Sequence, residues 1–174
     1  MKERKSAGNG QDRIEGGVHV ESIRKAAPGD ASRLAEILIF AKRTAYRPIF
    51  RNDAVSFGEM QVLPLALDYL EGRKSLSHIW VYDGGFVKGM VRVDSGEIHE
   101  LYVDPFFQNE GIGGLLLDFA VRRQGGRTLW VLEKNRNALA FYRAHGFRPT
   151  GERRLEEGTP EYVLRLALGS GVAP

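Results

Sequence analysis

Leu101-Tyr102-Val103-Asp104-Pro105-Phe106-Phe107-Gln108-Asn109-Glu110-Gly111-Ile112-Gly113-Gly114 runs directly into Leu-Leu-Leu-Asp-Phe-Ala-Val. An apolar strand stops at Asp-Pro, a loop of side-chain donors and glycines follows, and a helix with a solid apolar face begins. Gly111, Ile112, Gly113 and Gly114 place backbone N–H groups at the positive end of that helix, where a phosphate or pyrophosphate is favourably held. Glycine has no Cβ, so the backbone can approach an anion closely. Two common phosphate loops are excluded by spelling. A Walker loop ends Gly-Lys-Ser/Thr, whereas this one continues Gly113-Gly114-Leu115; the dinucleotide fingerprint needs a third glycine where Leu116 stands. What remains is Gln-x-x-Gly-x-Gly directly after a strand ending Val-Asp-Pro.

Three strands are predicted upstream of this loop. Ile79 to Tyr82 and Phe86 to Val93 flank the turn Asp83-Gly84-Gly85, and Asp94-Ser95-Gly96 turns the chain into Glu97 to Val103. Earlier, Val18 to Ala26 alternates as an opening strand. Leu34, Ile37, Leu38, Ala41 and Ala45 then mark an amphipathic helix expected to end before Pro48. Ala54 to Glu71 is predicted helical in two pieces broken at Pro64. Downstream come a helix from Gly111 to Gln124 stopped by Gly125-Gly126, a strand from Arg127 to Glu133, and a helix from Asn135 to His145. Phe147 to Arg154 and Glu161 to Leu168 close the chain as a hairpin. The order β-α-α-β-β-β-α-β-α-β-β specifies an α/β (α+β) fold with a mixed sheet and helices on both faces. Residues 18–170 form one domain, and residues 1–17 have the composition of a disordered tail.

Composition narrows the classes. The chain has 174 residues, enough for one sizeable core, with 43% apolar and 27% charged residues. Its 25 basic and 22 acidic residues leave a net charge of +3, which suits an anionic ligand but calls for no nucleic-acid partner. With no cysteine, disulfides, thiolate-ligated metals and a cysteinyl acyl-enzyme are excluded, and a cytoplasmic setting is expected. No metal site is predicted. The leading residues lack an apolar segment, and no run approaches a membrane span, so no membrane association is expected.

The glycine loop resembles the acetyl-CoA signature of the GNAT-type N-acetyltransferases. Asn135-Arg136-Asn137-Ala138-Leu139-Ala140-Phe141-Tyr142-Arg143-Ala144-His145-Gly146-Phe147 is similar to that family's Asn-x-x-Ala-x-x-Phe-Tyr-x-x-x-Gly-Phe segment. The resemblance is close from Glu97 to Phe147 and extends elsewhere only to element order. It implies the GNAT fold and acetyl-CoA as co-substrate. It also implies that the backbone of Leu101, Tyr102 and Val103 pairs with the pantetheine arm where the sheet splays, and that Gln108, Asn109 and the amides of Glu110, Gly111, Ile112, Gly113 and Gly114 hold the pyrophosphate. Glu110 stands where family members often carry a basic residue. Tyr142 would protonate the leaving sulfur. Asn135 would contact the cofactor, with Asn137 as a rival and helix capping as the plainer role.

Direct attack by an amine needs a proton acceptor, because an alkylammonium carries its proton up to a pKa of ~10. By resemblance Glu97 falls where histone-type members carry a glutamate base, and His99 falls on a histidine of arylalkylamine-type members. Strand alternation puts Glu97 and His99 on the face of Leu101 and turns Glu100 away unless a bulge intervenes. Glu133 is a third candidate base; His19, His78 and His145 read as surface residues. The acceptor pocket is expected between Tyr46, Arg47, Phe50 and Arg51 on one side and Glu152, Glu156 and Glu157 on the other. A small-molecule amine is the favoured acceptor. The alternatives are a peptide N-terminus or lysine, and an acyl-CoA-binding module without turnover. Members of the family are often homodimers. Here Tyr162, Leu164, Leu166 and Leu168 form an apolar face, serving either an intersubunit edge or the domain's own helices.

Overall fold

Alternating apolar residues in the middle of the chain build one seven-stranded sheet, ordered β1-β2-β3-β4-β5-β7-β6. The computed structural model describes residues 22–169. The predicted tail, the start of the opening strand and His19 lie outside them. The strands are β1 (Ile23–Lys25), β2 (Ile79–Asp83), β3 (Val87–Asp94), β4 (Glu97–Val103), β5 (Thr128–Leu132), β6 (Phe147–Leu155) and β7 (Tyr162–Leu168). The α-helices are α1 (Ala31–Phe50), α2 (Val62–Leu70), α3 (Ile112–Gln124) and α4 (Arg136–Ala144).

The sheet divides the interior into two cores. On one face Leu34, Ile37 and Leu38 of α1 and Ala66 and Tyr69 of α2 pack on Ile79, Val81 and Met90. On the other, Ile112, Leu116, Leu117 and Ala120 of α3 and Leu139 of α4 pack on Val91, Ile98, Leu129, Phe147 and Leu166. All neighbouring strands run antiparallel except β4 and β5. That parallel ladder holds only Glu97↔Thr128 and Ile98↔Leu129, after which the two strands diverge. Gly126 allows their approach: a Cβ there would sit 2.7 Å from Ile98 Cγ1.

Three details depart from the expected boundaries. α1 continues through Pro48 to Phe50, because the ring falls in the last turn and costs a single helical bond. The helix stops when Arg51 turns left-handed (φ 50°) and donates its N–H to the Arg47 carbonyl. The break in the following segment falls at Met60-Gln61, between a π-helical turn (Ala54–Glu59) and α2. Pro64 instead sits in the first turn of α2, where its missing N–H has no helical acceptor to lose. Finally, β7 lies between β5 and β6 rather than at an edge, and Leu164, Leu166 and Leu168 pack within the domain's own second core. The apolar face of β7 is thus accounted for without a second copy.

One buried ion pair ties α1 to the glycine loop. Asp104 is 2% exposed and accepts hydrogen bonds from Arg33 Nη2 (2.5 Å) and the Phe106 N–H (2.8 Å). Arg33 also donates to the Val87 carbonyl at 2.9 Å. Asp104→Ala leaves that guanidinium without its buried partner and the turn without its acceptor. It is expected to lower unfolding stability by about 3 kcal/mol, read from urea denaturation; a loss under about 1 kcal/mol would show that water replaces the carboxylate.

Candidate active site

The diverging ends of β4 and β5 open onto three connected spaces. A cleft of about 710 Å³ lies between the glycine loop and α4, lined by Leu101, Val103, Gln108, Asn109, Gly111, Gly113, Gly114, Asn137, Phe141, Tyr142 and His145. A neck of about 200 Å³ follows, bounded by Tyr46, His99, Leu101, Tyr102, Trp130, Asn135 and Tyr142. Beyond it a chamber of about 210 Å³ is walled by Lys42, Tyr46, Arg92, Glu97, His99, Glu100, Tyr102, Trp130, Arg154 and Glu156. Leu101 and Tyr142 are shared by cleft and neck; Tyr46, His99, Tyr102 and Trp130 by neck and chamber.

The cleft borders a helix start with unpaired backbone donors. Gly111 is left-handed (φ 87°) at the N-cap of α3, a conformation glycine adopts without strain. Leu115 donates the first bond inside the helix, to the Gly111 carbonyl at 3.1 Å. The amides of Ile112, Gly113 and Gly114 are therefore left for an outside acceptor. The Ile112 side chain itself is core, and Glu110 is exposed, so these two contribute backbone alone. Gln108 Nε2 donates to the Val103 carbonyl at 3.1 Å, fixing the loop to the end of β4. Asn135 caps α4, its Oδ1 accepting the Ala138 N–H at 3.2 Å, while Asn137 lines the cleft. His145, read as a surface residue, also faces this cleft: its ring lies 4.4 Å from that of Phe141, and a Cβ at Gly114 would be 3.3 Å from its Nε2.

Tyr142 bridges cleft and neck with its ring packed edge-on to Phe141 (5.2 Å) and Phe147 (5.9 Å). No group among the described residues bonds its hydroxyl, and burial pushes its pKa above the ordinary tyrosine value. It stays protonated throughout the physiological range. Tyr46 and Tyr102 meet hydroxyl to hydroxyl at 3.2 Å, and burial raises both likewise.

The expected face of the acidic strand residues is corrected by a bulge. β3 pairs Arg92 with Glu100 and Val93 with Ile98, so His99 is the extra residue. A bulge shifts the alternation by one position. Leu101 consequently shares the face of Ile98 and the second core, while Glu97, His99, Glu100 and Tyr102 all line the chamber on the opposite face. Glu97 Oε1 and His99 Nδ1 are 3.3 Å apart, and only His99 of the two also lines the neck. Glu133 is held by Arg153 at 2.6 Å and lines none of the three spaces.

Of the predicted acceptor residues, Tyr46 and Glu156 reach the chamber. Phe50 stacks on Tyr46 outside it (5.6 Å), Arg47 and Arg51 line a separate shallow depression, Glu152 pairs with Arg165 at 2.9 Å, and Glu157 is exposed. Lys42, Arg92, Trp130 and Arg154 were not anticipated. Lys42 carried the one local signal, as a charge a turn before Tyr46 on the same helix face; the others converge only through sheet register.

Fold and cleft together resemble those of GNAT-type acetyltransferases. Residues 75–149 match the family described as "Acetyltransferase (GNAT) domain". The chain is 32% identical over 79 residues to the peptidyl-lysine N-acetyltransferase YjaB of Salmonella typhimurium, covering 45% of this chain and 54% of that protein. It is 47% identical over 80 residues to the N-alpha-acetyltransferase RimI of Mycobacterium tuberculosis, covering 42% and 49%. In these and another curated relative the match spans only 38% to 54% of the relative's length. Among solved structures, PaiA N-acetyltransferase from Thermoplasma acidophilum in complex with coenzyme A has the same fold, with TM-score 0.57, 18% identity, and 82% of this chain and 96% of that chain covered. Among the described residues, no helix is long and apolar enough to cross a membrane, and no cluster of His, Asp and Glu side chains is placed to hold a metal.

Lys42 is the costly residue of the site. Burial lowers its pKa below the usual lysine value, against the raising effect of the Glu100 charge. The unfolded chain therefore binds this proton more tightly, and stability rises with pH between the lowered folded value and ~10.4. Lys42→Met is expected to raise the urea midpoint at pH 7, with the gain shrinking as pH climbs through that window. A gain that does not change with pH would assign the effect to packing rather than charge.

Proposed function

We propose that the chain transfers the acetyl group of acetyl-CoA to a primary amine of a small molecule, directly and within a ternary complex. The observation that carries this reading is the continuity of the anion-binding cleft with a polar chamber through a neck bounded by His99, Leu101, Tyr102 and Tyr142. The donor's phosphates take the free amides at the start of α3, and its arm lies along the backbone of Leu101 to Val103 that β5 does not pair. The amine enters from the chamber. The ammonium first gives a proton to His99, which Glu97 orients and which releases it to solvent; the free amine then bonds to the carbonyl carbon, and the surplus proton on nitrogen leaves by the same route. The oxyanion is met by an unpaired β4 amide in a low-dielectric gap, where such a donor is most effective. The C–S bond then breaks, and the Tyr142 hydroxyl gives its proton to the departing sulfur. No cysteine is available for an acyl-enzyme, and none is needed.

Acetylation of a lysine or a peptide N-terminus is the second reading, favoured by the activities named for YjaB and RimI. The small chamber weighs against it. A cytosolic setting and a homodimer belong to the proposal through the cysteine-free sequence and the family resemblance.

Gly113→Val is expected to weaken CoA binding by at least ~10-fold while the far-UV spectrum is kept, because a β-branched side chain would stand between Phe141, Val103 and the ligand. Undiminished affinity by calorimetry would remove the cofactor assignment.

Tyr142→Phe and His99→Ala should each lower kcat by about 10²-fold or more, read as thiol release, with CoA affinity retained. Full turnover in the Phe variant would return Tyr142 to a packing role; full turnover in the Ala variant would do the same for His99.

A further inference from the structure

The chamber carries a charge pattern that amine chemistry alone does not require. Lys42, Arg92 and Arg154 face Glu97, Glu100 and Glu156, so its formal charges cancel. The pairing within it is uneven. Arg92 is 3.2 Å from Glu100, and Glu97 is 3.3 Å from His99. Among the described residues, neither Lys42 nor Arg154 has a carboxylate within 4.0 Å. Three cations near the chamber are engaged elsewhere: Arg153 with Glu133 at 2.6 Å, Arg165 with Glu152 at 2.9 Å, Lys134 with Glu161 at 2.8 Å.

These two cations come from opposite walls. Lys42 projects from α1, with its Nζ 6.0 Å from the Tyr102 ring centre. Arg154 belongs to β6 and lies 4.1 Å above the ring of Trp130. A guanidinium stacked in this way is ordered in advance and keeps a planar set of donors for a planar carboxylate. Lys42 bears the desolvation cost described above, and a bound anion would offset it. Both line the chamber and neither lines the neck. An acceptor anchored there has its other end directed at His99.

Resting on the acetyltransferase reading, we propose that the acceptor is an amino-acid-like zwitterion, a primary amine and a carboxylate in one small molecule. Lys42 and Arg154 hold the carboxylate, and the amine points into the neck. A site with cancelling charges suits a ligand with cancelling charges. A polyamine would bring like charge to Lys42 and Arg154. A lysine or an N-terminus within a peptide offers an amide where the carboxylate is needed.

The test compares thiol release for a panel of free amino acids, the same amino acids as C-terminal amides, and the corresponding decarboxylated amines. The best free acid is expected to exceed its amide in kcat/KM by roughly 10- to 100-fold. In K42M and in R154Q that ratio should fall to within a few-fold of one, mainly through KM. CoA affinity, measured on the same preparations, should stay unchanged and certify the fold. Equal turnover of acid and amide, or a ratio preserved in both variants, would overturn the inference. So would reaction of peptides or polyamines alone, which leaves the transferase reading standing. If CoA binds but no amine of any class releases thiol, that reading falls as well.

Discussion

The ladder between β4 and β5 ends after two residue pairs, and the cleft, neck and chamber all depend on that early ending. A continued parallel ladder would consume the backbone groups of Leu101 to Val103 and close the space between the two cores. Two local features hold the strands together at one end and apart at the other. Gly126 admits the close approach beside Ile98, and the bulge at His99 bends β4 away immediately afterwards. A bulge leaves one residue unpaired and increases local twist. Here it both opens the sheet and gathers Glu97, His99, Glu100 and Tyr102 on the chamber face.

Much of the fold was legible because its signals are local. The glycine run, the Asp-Gly turn and the apolar period of α1 are each contained in a short window, and each became the expected element. The cleft beside the glycine loop could be anticipated for the same reason, since the amides along it are consecutive. The chamber could not. Glu-Ile-His-Glu-Leu reads as regular alternation, and nothing in those residues announces that one of them leaves the ladder. Lys42, Arg92, Trp130 and Arg154 lie on four different elements, brought together by register between strands distant in sequence. Pro48 misled for a different reason: the steric rule is sound, but a proline in the final turn forfeits too little to end a helix.

The site is also where the domain departs from what stability alone would favour. Burial raises the hydroxyls of Tyr46, Tyr102 and Tyr142 and lowers the ammonium of Lys42, each shift favouring the uncharged form. A tyrosine is neutral already at physiological pH, so its burial costs little and leaves the hydroxyl protonated. Lysine is charged there, so its burial is expensive. Of the four shifted groups around this passage, only the lysine is held against its ordinary charged form.

The two cores carry different responsibilities. The glycine-loop cleft is framed by α3 and α4, both rooted in the second core, and the Asp104–Arg33 pair ties the start of the loop to α1. The chamber takes one wall from α1 in the first core and the other from β5 and β6. Substitutions at Lys42 or Arg154 can therefore reshape the chamber without disturbing the packing under the glycine loop, since changes at separated sites without shared partners act nearly independently. Under the proposed function, such a domain is a fixed acyl-delivery module with an exchangeable socket. Single replacements on the chamber walls would then change acceptor preference and leave the neck as it is.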